Sequence, residues 1–130
     1  MNMKPFFLIA FTAIMFLALC KTEHPFDITK FEWQAMVIQD SLDHVPVDEY
    51  ILEFEQPDKY LIILKKNFCS GRASVGDSRI HFTDLECTKV CCEKEFGQLL
   101  QKYLPSVYEF HREGNQLIMT GVATIIFVQK

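Results

Sequence analysis

The chain has 130 residues, which is enough for one ordinary domain and too few for two domains with separate cores. Its 17 acidic residues outnumber its 13 lysines and arginines, so the net charge is -4. This balance argues against a nucleic-acid-binding protein, which needs a basic face to displace the counterions of the phosphates. With 49% hydrophobic and 23% charged residues, the composition is that of a folded globular protein rather than a disordered one.

The first twenty residues differ in character from the rest of the chain. Lys4 is the only charged residue before position 21, and residues 5–19 are apolar except for Thr12. A positive start followed by an apolar run of this length is typical of a secretory signal peptide. The run is too short for a comfortable membrane span, which needs about 20 apolar residues. A buried core helix is the alternative, but the run has no polar face. We therefore predict that residues 1–19 are a signal peptide and that the mature protein leaves the cytosol.

The end of this run, Leu17-Ala18-Leu19-Cys20, resembles the lipobox of bacterial lipoproteins, in which the cysteine is lipidated and becomes the first mature residue. Leu19 departs from the pattern, which normally has Gly, Ala or Ser at that place. The resemblance implies lipidation of Cys20 and a membrane partner, so that the protein is a periplasmic or outer-membrane-anchored lipoprotein of the cell envelope. Ordinary cleavage after Ala18 or Cys20 is the alternative and would give a soluble exported protein.

Four cysteines remain beyond Cys20, namely Cys69, Cys87, Cys91 and Cys92. An even number in an exported domain favours disulfide bonds over free thiols. We expect the adjacent Cys91 and Cys92 not to bond each other, because the small ring would strain the peptide between them. Cys69 then pairs with one of the other three, and the arrangement we favour is Cys69–Cys92 with Cys87–Cys91. A zinc site is the alternative, but three cysteines crowd into six residues instead of forming two short knuckles.

Residues 20–30 are interpreted as a tether, and the patterning beyond them predicts a mainly β domain over residues 31–130. Predicted strands lie at 31–38, 50–55, 60–64, 79–83, 107–110, 117–119 and 124–128, with hairpin turns at 56–59 and 113–115. The two glycines of 67–76 indicate tight turns or bulges, and 39–48 is an acidic loop. Apolar residues three and four apart predict one amphipathic helix between Glu93 and Pro105.

Several short motifs in this order resemble the META domain, an HslJ-like group of bacterial envelope proteins. The resemblance spans about residues 31–130, and the aromatic Trp33 matches the residue that opens the family's first strand. Phe68 inside the first motif and the additional Cys87 and Cys91 depart from the commonest pattern. The motif residues are Asn67, Cys69, Ser70 and Gly71, then Thr88 and Cys92, then the helix residues Phe96, Leu99 and Leu100, and finally Leu117 and Phe127.

This resemblance implies an α+β, mainly β fold: a curved antiparallel sheet or partial barrel with one packed α-helix. Family members are typically exported or lipid-anchored and are linked by name to the stress response. No catalytic residues are established for the family, so none is carried over to this sequence.

Independently of the family, the sequence contains no motif that predicts catalysis, a metal site or a cofactor. Ser70 and Ser74 could be nucleophiles only with a base and an orienting acid, and neither can be assigned. The acidic residues of the 39–48 loop and Glu49 lack the alternating ligand spacing of a calcium loop. The histidines are scattered, and we expect each of them to be at the surface or partly packed, with His81 on the solvent face of its strand. They are His24, His44, His81 and His111.

Two functional classes follow. The first is a non-enzymatic envelope domain that binds a peptide, an envelope protein or a secreted enzyme through its sheet edges or concave face. The second is a carrier of a small molecule, with a barrel cavity lined by Trp33, Tyr50, Phe54 and Tyr60. A cavity of about 300 Å³ or more would favour the carrier, and a filled core would favour the binding domain.

Overall fold

The computed structural model describes residues 26–56 and 58–130. The predicted signal peptide, Cys20, the first part of the predicted tether and Pro57 lie outside the described residues. In chain order, the elements are β1 (Trp33–Gln39), β2 (Asp43–His44), β3 (Ile51–Gln56), β4 (Lys59–Ile63), β5 (Phe68–Val75), β6 (Ile80–Cys87), α1 (Glu95–Tyr103), β7 (Glu109–Glu113), β8 (Gln116–Thr120) and β9 (Thr124–Gln129). Short 3-10 turns lie at Ile28–Lys30 and Leu104–Ser106.

The strands form one antiparallel sheet with the spatial order β6-β5-β4-β3-β1-β9-β8-β7, and the short β2 pairs with β1 beside this path. The two ends of the sheet approach each other where Arg79 bridges to Glu109. Next to this bridge, the amide of Ile80 donates to the carbonyl of Tyr108 at 3.2 Å. The sheet therefore curls into a partial barrel with one helix, and the predicted mainly β fold is confirmed.

The inward-facing side chains of the strands fill the barrel. Its largest fully buried members are Trp33, Tyr50, Tyr60, Phe82 and Phe127. The helix α1 adds one apolar face to this core, because Phe96, Leu100 and Tyr103 recur at helical spacing and are buried. None of the helices in the described part of the chain has the length and apolar character needed to cross a bilayer.

Folded structure begins inside the segment interpreted as a tether. The Ile28 side chain is only 2% exposed, and its carbonyl accepts a hydrogen bond of 2.9 Å from Trp33 Nε1. Asp27 caps the first turn by accepting from the amide of Thr29 at 3.0 Å. Residues 27–30 thus belong to the domain, because this segment contributes the buried Ile28 side chain and the carbonyl that pairs with the buried Trp33 indole.

Bulges interrupt the strand pairing at three places in the described part of the chain, and two of them bear on the sequence predictions. The register between β1 and β9 shifts between Ala35 and Val37, so Ile38 rather than Val37 is fully buried. The second bulge lies at Gly71 between β5 and β6, as the glycine predicted. The surrounding residues 68–75, however, form a strand instead of a turn-rich loop, because β4 and β6 pair with them on both sides.

The cysteine pairing favoured from the sequence is wrong. Cys69 bonds to Cys87, because the β5–β6 register places the two directly opposite each other with their Cα atoms 4.0 Å apart. Cys91 bonds to its neighbour Cys92, with Cα atoms 3.7 Å apart. Adjacent cysteines thus bond here despite the expected ring strain, and Cys92 takes up a φ of +79°.

Candidate functional site

Apolar side chains project into solvent from the loop between β2 and β3. Val45 is 72% exposed and Val47 is 96% exposed. We call residues 45–47 the ridge. A cleft of about 370 Å³ separates the ridge from the start of α1, and another of about 340 Å³ separates it from β1. The ridge is therefore an apolar projection with a cleft on each side.

The cleft beside α1 has an apolar floor and a charged mouth. The rings of Tyr50 and Phe96 lie at the floor with their centroids 4.9 Å apart. At the mouth, the carboxylates of Asp43 and Glu95 are exposed and make no ion pair with any described residue. Lys94 also lines the cleft, but its ammonium is paired with Asp48, so the unpaired charges there are acidic. The cleft can therefore accept an apolar group that carries a positive charge beside it.

Ion pairs hold the C-terminal side of the ridge against the helix. The carboxylate of Asp48 lies 2.8 Å from Lys94 Nζ and 3.3 Å from Lys65 Nζ. The hydrogen bond from Lys94, with a smaller contribution from Lys65, keeps the pKa of Asp48 below its ordinary value. The same contact raises the pKa of Lys94.

Asp40 fixes the N-terminal side of the ridge. Its carboxylate accepts hydrogen bonds from the amide of Leu42 at 2.9 Å and from the Tyr103 hydroxyl at 2.8 Å, and it lies 3.0 Å from His44 Nε2. The Leu42 amide first, then the Tyr103 hydroxyl, lower the pKa of Asp40 to about 2. The Tyr103 contact ties the β1–β2 turn to α1, so both sides of the ridge are positioned by polar contacts.

Asn67 and Thr88, the family-motif residues, meet in a buried network that we call the Asn67 latch. The Asn67 side chain is 7% exposed and uses its full hydrogen-bonding capacity. Its Oδ1 accepts from the Thr88 hydroxyl at 2.9 Å and from the amide of Val90 at 2.7 Å. Its Nδ2 donates to the carbonyl of Val90 at 3.0 Å and to Glu93 Oε2 at 3.0 Å. The latch thereby fastens the loop after β6 to the start of β5.

Glu93 completes the latch and was not singled out by the sequence. The residue is 9% exposed, and its carboxylate accepts hydrogen bonds from the amides of Lys65 at 3.0 Å and Lys66 at 2.9 Å. Gly97, one helical turn later, provides the space, since a Cβ there would lie 2.7 Å from Glu93 Oε1. The only feature of the sequence that could have indicated this role is an acidic residue just before the helix with a glycine four residues later. These contacts make the latch a structural device.

Ser70 and Gly71, the other motif residues, lie elsewhere, along a polar cleft of about 360 Å³. A Cβ at Gly71 would lie 2.5 Å from the carbonyl of Thr83 and 2.7 Å from the Tyr60 hydroxyl. Only glycine therefore fits at the bulge. The buried Tyr60 hydroxyl has no hydrogen-bond partner among the described residues, and burial, followed by the charge of Asp84, raises its pKa to about 12.

The remaining sequence-predicted groups are not brought into a shared site. His81 is exposed on its strand as expected, and His111 lies 3.2 Å from Glu113 at the surface. No three His, Cys, Asp or Glu side chains within residues 26–56 and 58–130 are grouped as metal ligands. Of the aromatic residues proposed to line a carrier cavity, Trp33, Tyr50 and Tyr60 are packed in the core. The three clefts described above open at the surface and none is lined by Trp33, so none of them is the barrel cavity that a carrier requires.

A family model of the META domain matches residues 27–130. The chain belongs to the META domain family. The match begins at the residue that caps the first turn, in agreement with the domain start seen in the structure.

One solved structure is similar to this META domain. The NMR structure of a protein from Burkholderia xenovorans has a TM-score of 0.62 and 12% sequence identity, covering 85% of this chain and 93% of that one. At this identity the likeness shows the fold alone. No curated protein gave a significant match.

Proposed function

We propose that this META domain is an exported, lipid-anchored and non-enzymatic binding domain of the cell envelope that docks a protein partner on the ridge. The observation that carries the proposal is the exposure of Val45 and Val47 between two clefts. Apolar side chains that a fixed loop exposes to water are unfavourable in the free protein. Such exposed apolar groups are typical of interaction sites.

The geometry favours one kind of partner. An extended protein segment can place an apolar side chain against the ridge and over the Tyr50–Phe96 floor. A lysine or arginine next to that side chain would face Asp43 and Glu95, whose carboxylates are free of ion pairs among the described residues. We therefore propose an apolar segment flanked by basic residues as the occupant.

Location and physiological role rest on separate arguments. Two disulfides in the domain support an oxidising compartment outside the cytosol. The resemblance of the segment around Cys20 to a lipobox supports a lipid anchor at the envelope, and the names of family members support a role in the stress response.

Replacing Val47 by Asp tests the ridge. A charge at the centre of a docking surface must be desolvated when the partner binds, so Val47→Asp should weaken partner recovery from envelope extracts at least about tenfold. The matched control is Val122→Asp, because Val122 is 79% exposed on the β8–β9 turn. Equal recovery with both variants, or equal loss with both, would contradict a ridge-specific site.

Replacing Cys20 by Ala tests the anchor. Since stable attachment requires acyl chains on this cysteine, the Cys20→Ala protein should move from the membrane fraction to the soluble extracytoplasmic fraction. Fractionation followed by immunoblotting gives the readout. Continued membrane attachment of the variant would count against lipidation while leaving the ridge proposal untouched.

A further inference from the structure

The loop between β6 and α1 presents the Cys91–Cys92 disulfide at the surface. Both residues are exposed, and one chain bond separates them in sequence. The Cys69–Cys87 bond differs, because Cys69 is fully buried and its partner lies 18 residues away on a paired strand. The same molecule thus contains a protected disulfide and an accessible one.

The residues on either side of the exposed disulfide are held in place. Val90 exchanges two hydrogen bonds with the Asn67 side chain, at 2.7 and 3.0 Å. Glu93 accepts from the amides of Lys65 and Lys66 at 3.0 and 2.9 Å. None of these contacts involves Cys91 or Cys92, so the anchors on either side do not depend on the disulfide.

The fold gives this disulfide little protection from reduction. Cys92 has a φ of +79°, in the left-handed region that is unfavourable for residues other than glycine. A disulfide between adjacent cysteines closes no long loop of the chain. It therefore adds little to the stability of the fold, and folding in turn does little to stabilise the disulfide. By contrast, the buried Cys69–Cys87 bond closes a long loop and is coupled to folding. Exposed disulfides with strained surroundings are the readily reduced ones.

Charges of both signs flank the loop, and two of them are exposed lysines. Lys89 lies two residues before Cys91, and Lys66 is bound through its amide to Glu93. Both lysines are exposed and make no ion pair with any described residue. Nearby ammonium groups stabilise a thiolate, which makes each cysteine sulfur a better leaving group.

We propose that Cys91–Cys92 is a thiol–disulfide exchange site that accepts two electrons from a thiolate donor. The donor thiolate attacks one cysteine sulfur, the bond between the two cysteines breaks, and its electron pair passes to the other sulfur, which takes a proton from water. A second donor thiolate then attacks the donor sulfur of the mixed disulfide. Cys91 and Cys92 leave as thiols, and the donor is oxidised to a disulfide.

The test compares the two disulfides within one folded molecule. The oxidised full-length protein is treated with reduced glutathione, or with a reduced oxidoreductase that carries a Cys-x-x-Cys dithiol, and is then alkylated and mapped by peptide mass spectrometry. Cys91 and Cys92 should be labelled roughly tenfold faster than Cys69 and Cys87, or more, with the far-UV circular dichroism unchanged. Reduction by glutathione identifies a small thiol as a competent donor, and reduction by the dithiol protein alone identifies a protein donor.

Charge variants separate a reactive site from mere exposure. Lys89→Glu should slow labelling of Cys91 and Cys92 a few-fold, whereas Lys30→Glu, an equal charge change on the N-terminal 3-10 turn, should not. The inference is overturned if Cys69 and Cys87 react first or at the same rate, if Cys91 and Cys92 react only when the protein unfolds, or if the two lysine variants behave alike.

Discussion

At the scale of single residues, the polar groups of this domain are mostly engaged in holding loops. Asn67 makes four hydrogen bonds within the protein, and Glu93 accepts three through its buried carboxylate. Such buried groups are stabilising only when every partner is present, because an unpaired one costs about 1–3 kcal/mol. This requirement explains why family-motif residues can be essential to the fold without performing chemistry.

Gly97 provides a test of the latch. Alanine in a helix interior normally gains about 1 kcal/mol over glycine. Here the new Cβ would meet Glu93 Oε1 at 2.7 Å and Cγ at 2.8 Å, and that carboxylate is fixed by its hydrogen bonds. We expect Gly97→Ala to lower the free energy of unfolding by about 1–3 kcal/mol, measured by urea denaturation.

The matched background is Glu93→Ala. Once the carboxylate is removed, the space beside position 97 is open, and Gly97→Ala should then stabilise the protein relative to Glu93→Ala alone. A stabilising effect in the wild-type background would mean that the carboxylate moves freely and that the latch does not fix it.

At the scale of elements, the contact between the β1–β2 turn and α1 depends on pH. The hydrogen bonds from Leu42 and Tyr103 lower the pKa of Asp40 to about 2, from an ordinary value of 3.8. A lowered pKa in the folded state stabilises the protein above the ordinary pKa, and this stabilisation is lost as the pH falls through the folded value. We therefore expect the melting temperature to fall between about pH 4 and pH 2.

The Asp40→Asn variant should show a shallower fall over the same interval, since its side chain does not titrate. Asp43→Asn serves as the control, because Asp43 is exposed at the start of β2 and makes no ion pair with a described residue. Parallel wild-type and Asp40→Asn melting curves across this range would show that Asp40 does not couple the turn to the helix.

The elements also show where prediction from sequence succeeds. Alternation located the hairpin of β3 and β4 and the strands of the C-terminal meander, and the 3–4 spacing located α1. The glycine-rich β5 was missed, because its residues carry no clean alternation and its strand geometry comes from pairing on both sides. The correct partner of Cys69 depended on that pairing and was missed with it.

The Cys69–Cys87 disulfide closes a loop of 18 residues. By restricting the unfolded chain, it stabilises the fold by roughly 3 kcal/mol.

The ridge could not be predicted for a different reason. Apolar residues in a loop give no sign in the sequence of whether they turn inward or outward. Here the polar anchors Asp40 and Asp48 hold the loop in place, and Val45 and Val47 remain outside the core. Asp40 contacts Tyr103 of α1 across 63 residues of chain, and Asp48 pairs with Lys94, the residue before α1, so these long-range contacts are set by the fold.

At the scale of the whole molecule, the partial barrel is the frame that carries the core, the disulfides and the ridge in different places. The packed interior gives stability, one disulfide joins β5 to β6 while the other lies in the loop before α1, and the ridge shares a cleft with the start of α1. Because the interior is filled by aromatic and aliphatic side chains, binding is expected at the surface.

The most direct measurement is site-specific photo-crosslinking in cells that produce the full-length protein. A photoreactive residue at position 47 should give a discrete adduct with one envelope protein, and the adduct should disappear when Val45→Asp is added. The same probe at position 122, which is also open to solvent, should give no such adduct. Identical adducts from both positions, or none from position 47 while the protein is folded and exported, would contradict the assignment of the ridge as the binding surface.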